Sequence, residues 1–300
     1  MTYQHNIDLT PFRHLYPFES NYMEVNGFKY HYVDEGTGDP VVMLHGNPTW
    51  SFYFREVIKA FADKRRMIAP DHIGCGLSEK PRPGRYDYTL QRRIADLEIF
   101  LHTLNIEKKI TLVLHDWGGM IGCAYALRHI ENIDKIILLN TAAFLPPNGK
   151  KIPLRIWIIR RLAWVGTPAV LGFNLFSRAA LSMCSAKGLR HDVKNGLTAP
   201  YNSWKNRIAT LTFVQDIPLF PGDASYAVVA ESDRRLAVLK KIPMLILWGE
   251  KDFVFDMDYL VEWQKRFPGA ETHTFPDAGH YVLEDAATEV IAAMKVFLNR

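Results

Sequence analysis

Residues 112–119, with the sequence LVLHDWGG, restrict the fold more than any other part of the chain. An apolar run typical of a buried strand leads into Asp116, and two glycines follow at the start of the next helix. A strand, a sharp turn and a closely packed helix form a nucleophile elbow, which holds one side chain above the end of a sheet. The start of a helix favours a carboxylate there. The sequence therefore predicts Asp116 as a nucleophile, unless it only caps the helix, as many Asp residues do.

Short apolar runs alternate with amphipathic stretches on both sides of this elbow. Strands are predicted at 28–33, 41–44, 67–70, 110–114, 136–140, 243–249 and 272–275. Helices are predicted at 50–63, 89–104, from the elbow to 128, at 257–267 and at 285–298. This alternation predicts an α/β fold with a mostly parallel central sheet and helices on both faces.

A long insertion interrupts the alternation. From residue 142 to about 232 the sequence contains prolines, tryptophans and helical patterns but no convincing buried strand. This length is well above that of ordinary loops, and an insertion at the carboxyl edge of a parallel sheet covers the place where such sheets bind ligands. We expect a core at 1–141, a helical cap at 142–232 and a return to the core at 233–300.

Two residues that follow predicted strands can complete a catalytic triad with Asp116. Asp252 lies in LILWGEKDF after one strand, and His280 lies in DAGHYVLED after the next. The order nucleophile, acid, histidine is the one used with an elbow of this kind. Taken singly, Asp252 is typical of a turn, and a loop histidine is usually just solvated. Asp256, four residues further on, is an alternative acid.

The loop that follows the strand at 41–44 supplies hydrogen-bond donors. Asn47, in LHGNPTW, offers a backbone N–H and a side-chain amide. Trp117 offers a backbone N–H and an indole N–H beside the predicted nucleophile. Neutral donors that converge next to a carboxylate can stabilise an anionic leaving group. The alternative is that Asn47 is only a turn residue and Trp117 only a packing aromatic.

Composition excludes several classes of function. The net charge of +4 is mild, and Lys and Arg do not form blocks, so we expect no nucleic-acid partner. The three cysteines are far apart, which argues against a zinc site or a disulfide framework. No signal peptide or uninterrupted apolar span is recognisable, and we expect a cytoplasmic protein. No metal or organic cofactor is expected, because the chain supplies nucleophile, base and donors.

Four motifs resemble those of the haloalkane dehalogenases, a group of α/β-hydrolases: HGNPTWSF at 45–52, PDHIGCGLSEKP at 70–81, HDWGG at 115–119 and DAGH at 277–280. The resemblance implies that an aspartate displaces halide to form an alkyl-enzyme ester, which a histidine-activated water then hydrolyses. It assigns these roles to Asp116 and His280, the orienting acid to Asp252, and the halide donors to Asn47 and Trp117.

One position departs from part of that group. Some members carry the acid as Glu at the end of the strand that follows the elbow helix, where this chain has Asn140. The acid is then expected to come from Asp252. The chain therefore resembles the subgroup that combines an Asp acid with Asn and Trp donors.

A second resemblance implies a different substrate. Residues 199–219 (APYNSWKNRIATLTFVQDIPL), and FVFD at 253–256 followed by DAGHYVLED, resemble the β-lactone decarboxylases of bacterial long-chain olefin biosynthesis. There Asp116 would attack a lactone, the donors would stabilise the released oxyanion, and loss of carbon dioxide would leave a cis-alkene. A haloalkane and a long-chain β-lactone both remain open as the small apolar substrate, since fold and triad do not determine substrate.

Three other functions occur on a fold of this kind. An epoxide hydrolase uses the same triad but needs acid groups, for which Tyr201 and Tyr226 are candidates. An ordinary esterase is disfavoured because Asp116 occupies the place of the usual Ser. A non-catalytic binding protein on this fold would keep the pocket without needing the nucleophile.

The cap segment at 153–176 is unusually apolar and contains Arg155, Arg160 and Arg161. It is predicted to line the pocket, or else to receive acyl chains from a membrane surface or from another enzyme of olefin biosynthesis. The sequence does not predict the oligomeric state. The candidate pocket walls are Trp157, Trp164, Phe173, Phe176 and Trp204.

Overall fold

The computed structural model describes residues 7–150 and 153–300. Within this part of the chain, eight strands form one sheet: β1 (Asn21–Val25), β2 (Phe28–Glu35), β3 (Pro40–Leu44), β4 (Arg66–Pro70), β5 (Ile110–Asp116), β6 (Ile133–Thr141), β7 (Met244–Gly249) and β8 (Glu271–Phe275). Their order across the sheet is β1-β2-β4-β3-β5-β6-β7-β8. β2 is antiparallel to β1 and β4, and the other pairs are parallel. The predicted mostly parallel sheet is confirmed.

The described part of the chain also contains twelve α-helices. They are α1 (Arg55–Phe61), α2 (Leu90–Thr103), α3 (Trp117–Arg128), α4 (Leu154–Arg161), α5 (Ala163–Thr167), α6 (Leu175–Met183), α7 (His191–Thr198), α8 (Ile208–Gln215), α9 (Tyr226–Arg235), α10 (Met257–Arg266), α11 (Val282–Asp285) and α12 (Ala287–Leu298). None of the described helices is both long enough and apolar enough to span a bilayer.

Alternate residues of each strand point to opposite faces of the sheet, and both faces are covered. Val42 and Leu44 belong to an apolar cluster that includes residues of α2, α3 and α10. Val41 and Met43 belong to a second cluster that includes residues of α1 and α12. The predicted three-layer α/β arrangement is therefore present. Because both faces are buried there, the central strands β3, β5 and β7 are almost continuously apolar, which is why the sequence predicted them well. The edge strand β8 is parallel too, but it is polar and partly exposed.

The segment between β6 and β7 contains α4 to α9 and, among its described residues, no strand. The predicted cap boundary at residue 232 falls inside α9. This helix buries Val229 and packs against α3 of the core. The core therefore resumes near residue 226, and "cap" below means residues 142–225.

Candidate active site

Asp116 lies where β5 meets α3, in a backbone conformation that few residues adopt. Its φ of 52° and ψ of −123° are strained for a residue with a side chain. The following glycines make the turn possible. A Cβ at Gly118 would lie 2.0 Å from the Leu44 carbonyl oxygen, and a Cβ at Gly119 would lie 1.9 Å from Thr141 Oγ1. The turn thus holds a buried carboxylate above the sheet edge.

One oxygen of this carboxylate is held by a backbone donor. Asn47 N–H donates to Asp116 Oδ1 at 2.6 Å. The nearby Trp117 N–H, like that of Asn47, acts to lower the pKa of the carboxyl group. The carboxylate approaches Gly46 so closely that a Cβ there would lie 1.9 Å from Oδ1. If Asp116 forms an ester through its other oxygen, the Asn47 N–H faces the carbonyl oxygen and can stabilise the charge that develops when water attacks.

His280 lies between two carboxylates. Its Nδ1 is 2.7 Å from Asp252 Oδ2, and its Nε2 is 3.7 Å from Asp116 Oδ2. A proton on Nδ1 satisfies the bond to Asp252 and leaves Nε2 available beside Asp116. His115 further fixes this loop, because its Nε2 lies 3.0 Å from the His280 carbonyl oxygen and donates to it. The three residues predicted as a triad are therefore adjacent in space.

Asp252 is held by a hydrogen-bond network of its own. It accepts from Val254 N–H at 2.7 Å and from Asn140 Nδ2 at 3.1 Å. Asn140, at the place where some dehalogenases carry Glu, thus supports the acid instead of replacing it. The alternative acid, Asp256, pairs with Lys150 and caps α10. It makes no recorded contact with His280 among the described residues, and this geometry favours Asp252.

Burial and neighbouring charges have opposite effects on the pKa of Asp116 and on that of His280, and both pKa values are raised overall. Burial raises the pKa of Asp116, and the opposing effects of His280 and the backbone donors do not cancel it. Burial alone would lower the pKa of His280, but the charges of Asp252 and Asp116 together outweigh burial, so the pKa is raised overall. The imidazole is therefore a stronger base than in water. It loses part of that shift when Asp116 is esterified, since the ester carries no charge.

Two side-chain donors lie at the same place. The Asn47 amide donates to the Thr210 carbonyl at 3.0 Å, which fixes its orientation and leaves its second N–H available. The indole N–H of Trp117 meets no acceptor among the described residues, and Phe213 packs beside the ring at 5.2 Å between centroids. Both residues line the cavity that contains Asp116 and His280. Thr210 and Phe213 were not singled out from the sequence, which offers no local signal for a helix that reaches the site from the cap.

A cavity of about 540 Å³ begins at this group and extends between core and cap. Its wall is mainly apolar and includes Met120, Phe144, Ile159, Phe176, Val214 and Phe255. Phe253 and Phe255, which also line the cavity, follow Asp252 by one and three residues in the sequence, and that proximity is the signal that could have identified them. Among the described residues no group of three His, Cys, Asp or Glu side chains is arranged to hold a metal ion.

Of the five predicted wall residues, only Phe176 lines this cavity. Trp157, Trp164, Phe173 and Trp204 are exposed on the outside of the cap, which corrects the expectation for these four. Trp157 and Trp164 lie on the outer sides of α4 and α5, whose inner sides carry isoleucine and valine. Phe173 and Trp204 lie in turns between helices.

The two tyrosines considered as acids for an epoxide do not line the cavity. Tyr201 is buried, and its hydroxyl donates to the Thr49 carbonyl at 3.1 Å. Tyr226 begins α9, on the side of the core helix α3. The geometry therefore does not favour the epoxide reaction.

Comparisons with known proteins identify the family of the chain. A family model for the α/β-hydrolase fold matches residues 39–287. The cis-3-alkyl-4-alkyloxetan-2-one decarboxylase of Shewanella oneidensis is 50% identical over 290 residues, covering 95% of this chain and 90% of that protein. Haloalkane dehalogenase 2 of Mycobacterium bovis is 31% identical over 96% of this chain and 98% of its own.

The fold is also found among solved structures. The crystal structure of the haloalkane dehalogenase DatA from Agrobacterium tumefaciens superposes with a TM-score of 0.83. The two sequences are 23% identical, and the match covers 94% of this chain and 96% of the other. This likeness agrees with the family model on the overall fold. The chain belongs to the α/β-hydrolase fold family.

Proposed function

We propose that this protein is a β-lactone decarboxylase, which converts a cis-3,4-dialkyl β-lactone into a cis-alkene and carbon dioxide. The observation that carries the proposal is the 50% identity, over almost the whole chain, with an enzyme named for that reaction. The site supports it, because Asp116 presents a buried carboxylate and no Ser occupies the elbow. The cavity also suits a substrate with two alkyl arms, since it is apolar and of the size usual for ligand sites.

In the first step Asp116 attacks the ring carbon that bears the lactone oxygen. The new bond joins this carbon to a carboxylate oxygen of Asp116, and the old bond from the carbon to the ring oxygen breaks. The ring oxygen leaves as part of a free carboxylate, so strain is released and the configuration is inverted. The side-chain N–H groups of Asn47 and Trp117 can stabilise this anion. The backbone N–H of Asn47 remains on the ester oxygen.

In the second step the carbon–carbon bond to the new carboxylate breaks, and its electron pair forms the alkene. The bond between the alkyl carbon and Asp116 breaks at the same time, which restores the aspartate and releases carbon dioxide. Inversion followed by anti elimination converts a cis-lactone into a cis-alkene. Neither step transfers a proton. His280 therefore contributes charge, because its imidazolium form stabilises Asp116 as it leaves.

A product assay on the purified protein tests the proposal. A synthetic long-chain cis-β-lactone, 1-bromobutane and 1,2-dibromoethane are supplied in parallel, and alkene and bromide are measured. We expect alkene from the lactone and little bromide. Bromide without alkene would contradict the proposal and establish dehalogenation instead.

Dehalogenation is the second candidate. It is favoured by the indole N–H of Trp117, which has no acceptor among the described residues, next to the second N–H of the Asn47 amide. Two neutral donors on one side of a carboxylate are suited to a halide leaving group. In this reaction His280 would act as a base and activate the water that hydrolyses the alkyl ester.

Replacing Gly46 by Ala is expected to lower turnover about 10²- to 10³-fold, the usual cost of losing an oxyanion donor. The added Cβ would lie 1.9 Å from Asp116 Oδ1 and would push the carboxylate away from its N–H donors. Steady-state rates with the lactone measure the effect. Gly269→Ala is the matched control, because nothing lies within 4 Å of its added Cβ. Equal rates for the two variants would show that Asp116 does not need these donors.

The pH dependence of kcat/KM reports the pKa values of groups in the free enzyme. We expect activity to fall at acidic pH with a midpoint above the ordinary pKa range of Asp. Only ionised Asp116 is a nucleophile, and burial raises its pKa above the ordinary 3.8. Activity is therefore present at neutral pH and lost as the pH falls through this raised value. Rates from pH 4 to 9 with the lactone provide the measurement. A midpoint at or below 3.8 would be inconsistent with Asp116 as the titrating nucleophile.

A further inference from the structure

The outside of the cap carries an unusual set of exposed aromatic side chains. Among the described residues every exposed Trp or Phe lies in the cap. We call this set the outer cap face: Trp157, Trp164, Phe173, Trp204 and Phe220. Trp164 is 79% exposed, Phe173 69% and Trp204 52%. Aromatic side chains are normally among the most buried, so their concentration on one part of the surface points to an interaction.

The contacts between cap elements place these residues on connected segments. Arg207 donates to the carbonyl oxygens of Leu171 and Gly172 at 2.7 and 2.9 Å, which ties the turn around Trp204 to the segment before Phe173. That segment continues from α5, which packs against α4. Arg161, at the end of α4, lies over the ring of Phe220 at 5.2 Å.

Several segments that carry the outer cap face also form the cavity wall. In α4, Ile156 and Ile159 line the cavity, whereas Trp157 is exposed. Leu175, two residues after Phe173, both lines the cavity and is exposed. The cavity therefore reaches the surface next to these aromatic side chains.

Charge is distributed very unevenly between cap and core. Residues 142–225 contain eleven Lys and Arg but three Asp and Glu, a net charge of +8. The rest of the chain contains 25 basic and 29 acidic residues, a net charge of −4. Two of the cap acids are already paired with arginines, Asp223 with Arg160 and Asp192 with Arg190. The cap as a whole is thus basic. Two of its cations lie beside the outer cap face, because Arg161 packs on Phe220 and Lys205 follows Trp204 in the chain.

We propose that the outer cap face binds an anionic lipid bilayer, so that the apolar substrate enters the cavity from the membrane. Trp and Phe insert at the interface between headgroups and acyl chains. Lys and Arg nearby are attracted to anionic headgroups. A bilayer fits better than a protein partner, because the aromatic side chains lie next to the point where the cavity reaches the surface. The apolar substrate that this cavity receives under the proposed function itself concentrates in lipid.

Vesicle sedimentation tests the proposal. Full-length protein is mixed with vesicles of phosphatidylcholine alone, or of equal parts phosphatidylcholine and phosphatidylglycerol, at low and high salt. We expect the protein to bind anionic vesicles roughly tenfold more tightly than neutral vesicles. High salt should weaken binding to the anionic vesicles. A sample without vesicles identifies self-association. No binding to anionic vesicles at low salt would overturn the proposal and would point instead to an acidic protein surface.

Two variants and a control locate the binding surface. Two triple variants are each expected to weaken binding roughly tenfold or more. The first replaces aromatic side chains (Trp164→Ser, Phe173→Ser and Trp204→Ser), and the second replaces basic ones (Arg161→Gln, Arg178→Gln and Lys205→Gln). Val261→Ser with Val296→Ser removes side chains that are 58% and 54% exposed on the core, and should bind as the unmodified protein does. Circular dichroism and activity on detergent-dispersed substrate check the fold. The proposal would be overturned if the core variant lost as much vesicle binding as the cap variants, or if the cap variants lost none.

Discussion

Replacing Asp116 by Ala is expected to abolish turnover of both the lactone and the haloalkane, by roughly 10⁴-fold or more. Both reactions begin with attack by the Asp116 carboxylate, and every later step starts from the ester that this attack forms. His280 and Asp252 remain in the variant but have no ester to act on. Alkene and bromide measurements over long incubations quantify the residual rate.

The control for this experiment is Asp277→Asn. Asp277 lies three residues before His280, is 76% exposed at its side chain and pairs only with Lys251 among the described residues. This variant should turn over substrate as the unmodified protein does. Thermal unfolding of the Asp116 variant distinguishes a lost nucleophile from a lost fold. Activity retained after Asp116→Ala would favour the non-catalytic binding function, or a different nucleophile.

Replacing His280 by Ala is expected to separate the two candidate reactions. With a haloalkane the first step still forms the ester, but hydrolysis loses its base and slows about 10²- to 10⁴-fold. Intact-mass spectra should then show the protein heavier by the alkyl group. With the lactone the ester collapses without water, so alkene continues to form, about 10²-fold more slowly, and no adduct persists.

The exposed His273, on β8, is the matched control, and His273→Ala should change neither reaction. A second readout uses water labelled with oxygen-18 and the unmodified enzyme. Ester hydrolysis places the label in the Asp116 carboxylate, whereas decarboxylation leaves it unlabelled. A persistent lactone adduct in the His280 variant, or label in Asp116 after lactone turnover, would refute the two-step elimination.

The sequence predicted the sheet and the adjacency of the three triad candidates for the same reason. Asp116 ends β5, Asp252 follows β7 and His280 follows β8. Parallel strands end at one edge of the sheet, so residues just beyond their carboxyl ends meet there whatever their separation in sequence. The strand β1 was not predicted. It is an edge strand with a single fully buried residue, Val25, so its hydrophobic pattern is weak.

The cap could not be predicted to the same depth. Residues 154–164 (LRIWIIRRLAW) carry large apolar groups all round the helices α4 and α5, which have eight and five residues. Periodicity over so few turns does not select one face. Trp157 and Trp164 were therefore expected inside, although tertiary packing places Ile156 and Ile159 there.

The hydrogen bond between Asn140 and Asp252 has an evolutionary consequence. The two side chains lie 3.1 Å apart at the ends of neighbouring strands, so either strand can in principle carry the acid. Gaining a carboxylate at 140 first would place two carboxylates in contact and leave one of them protonated. Losing Asp252 first would leave His280 without its orienting partner. An ancestral exchange of the acid between the strands is therefore expected to require both changes close together, which makes the acid's position a conservative marker of descent within the family.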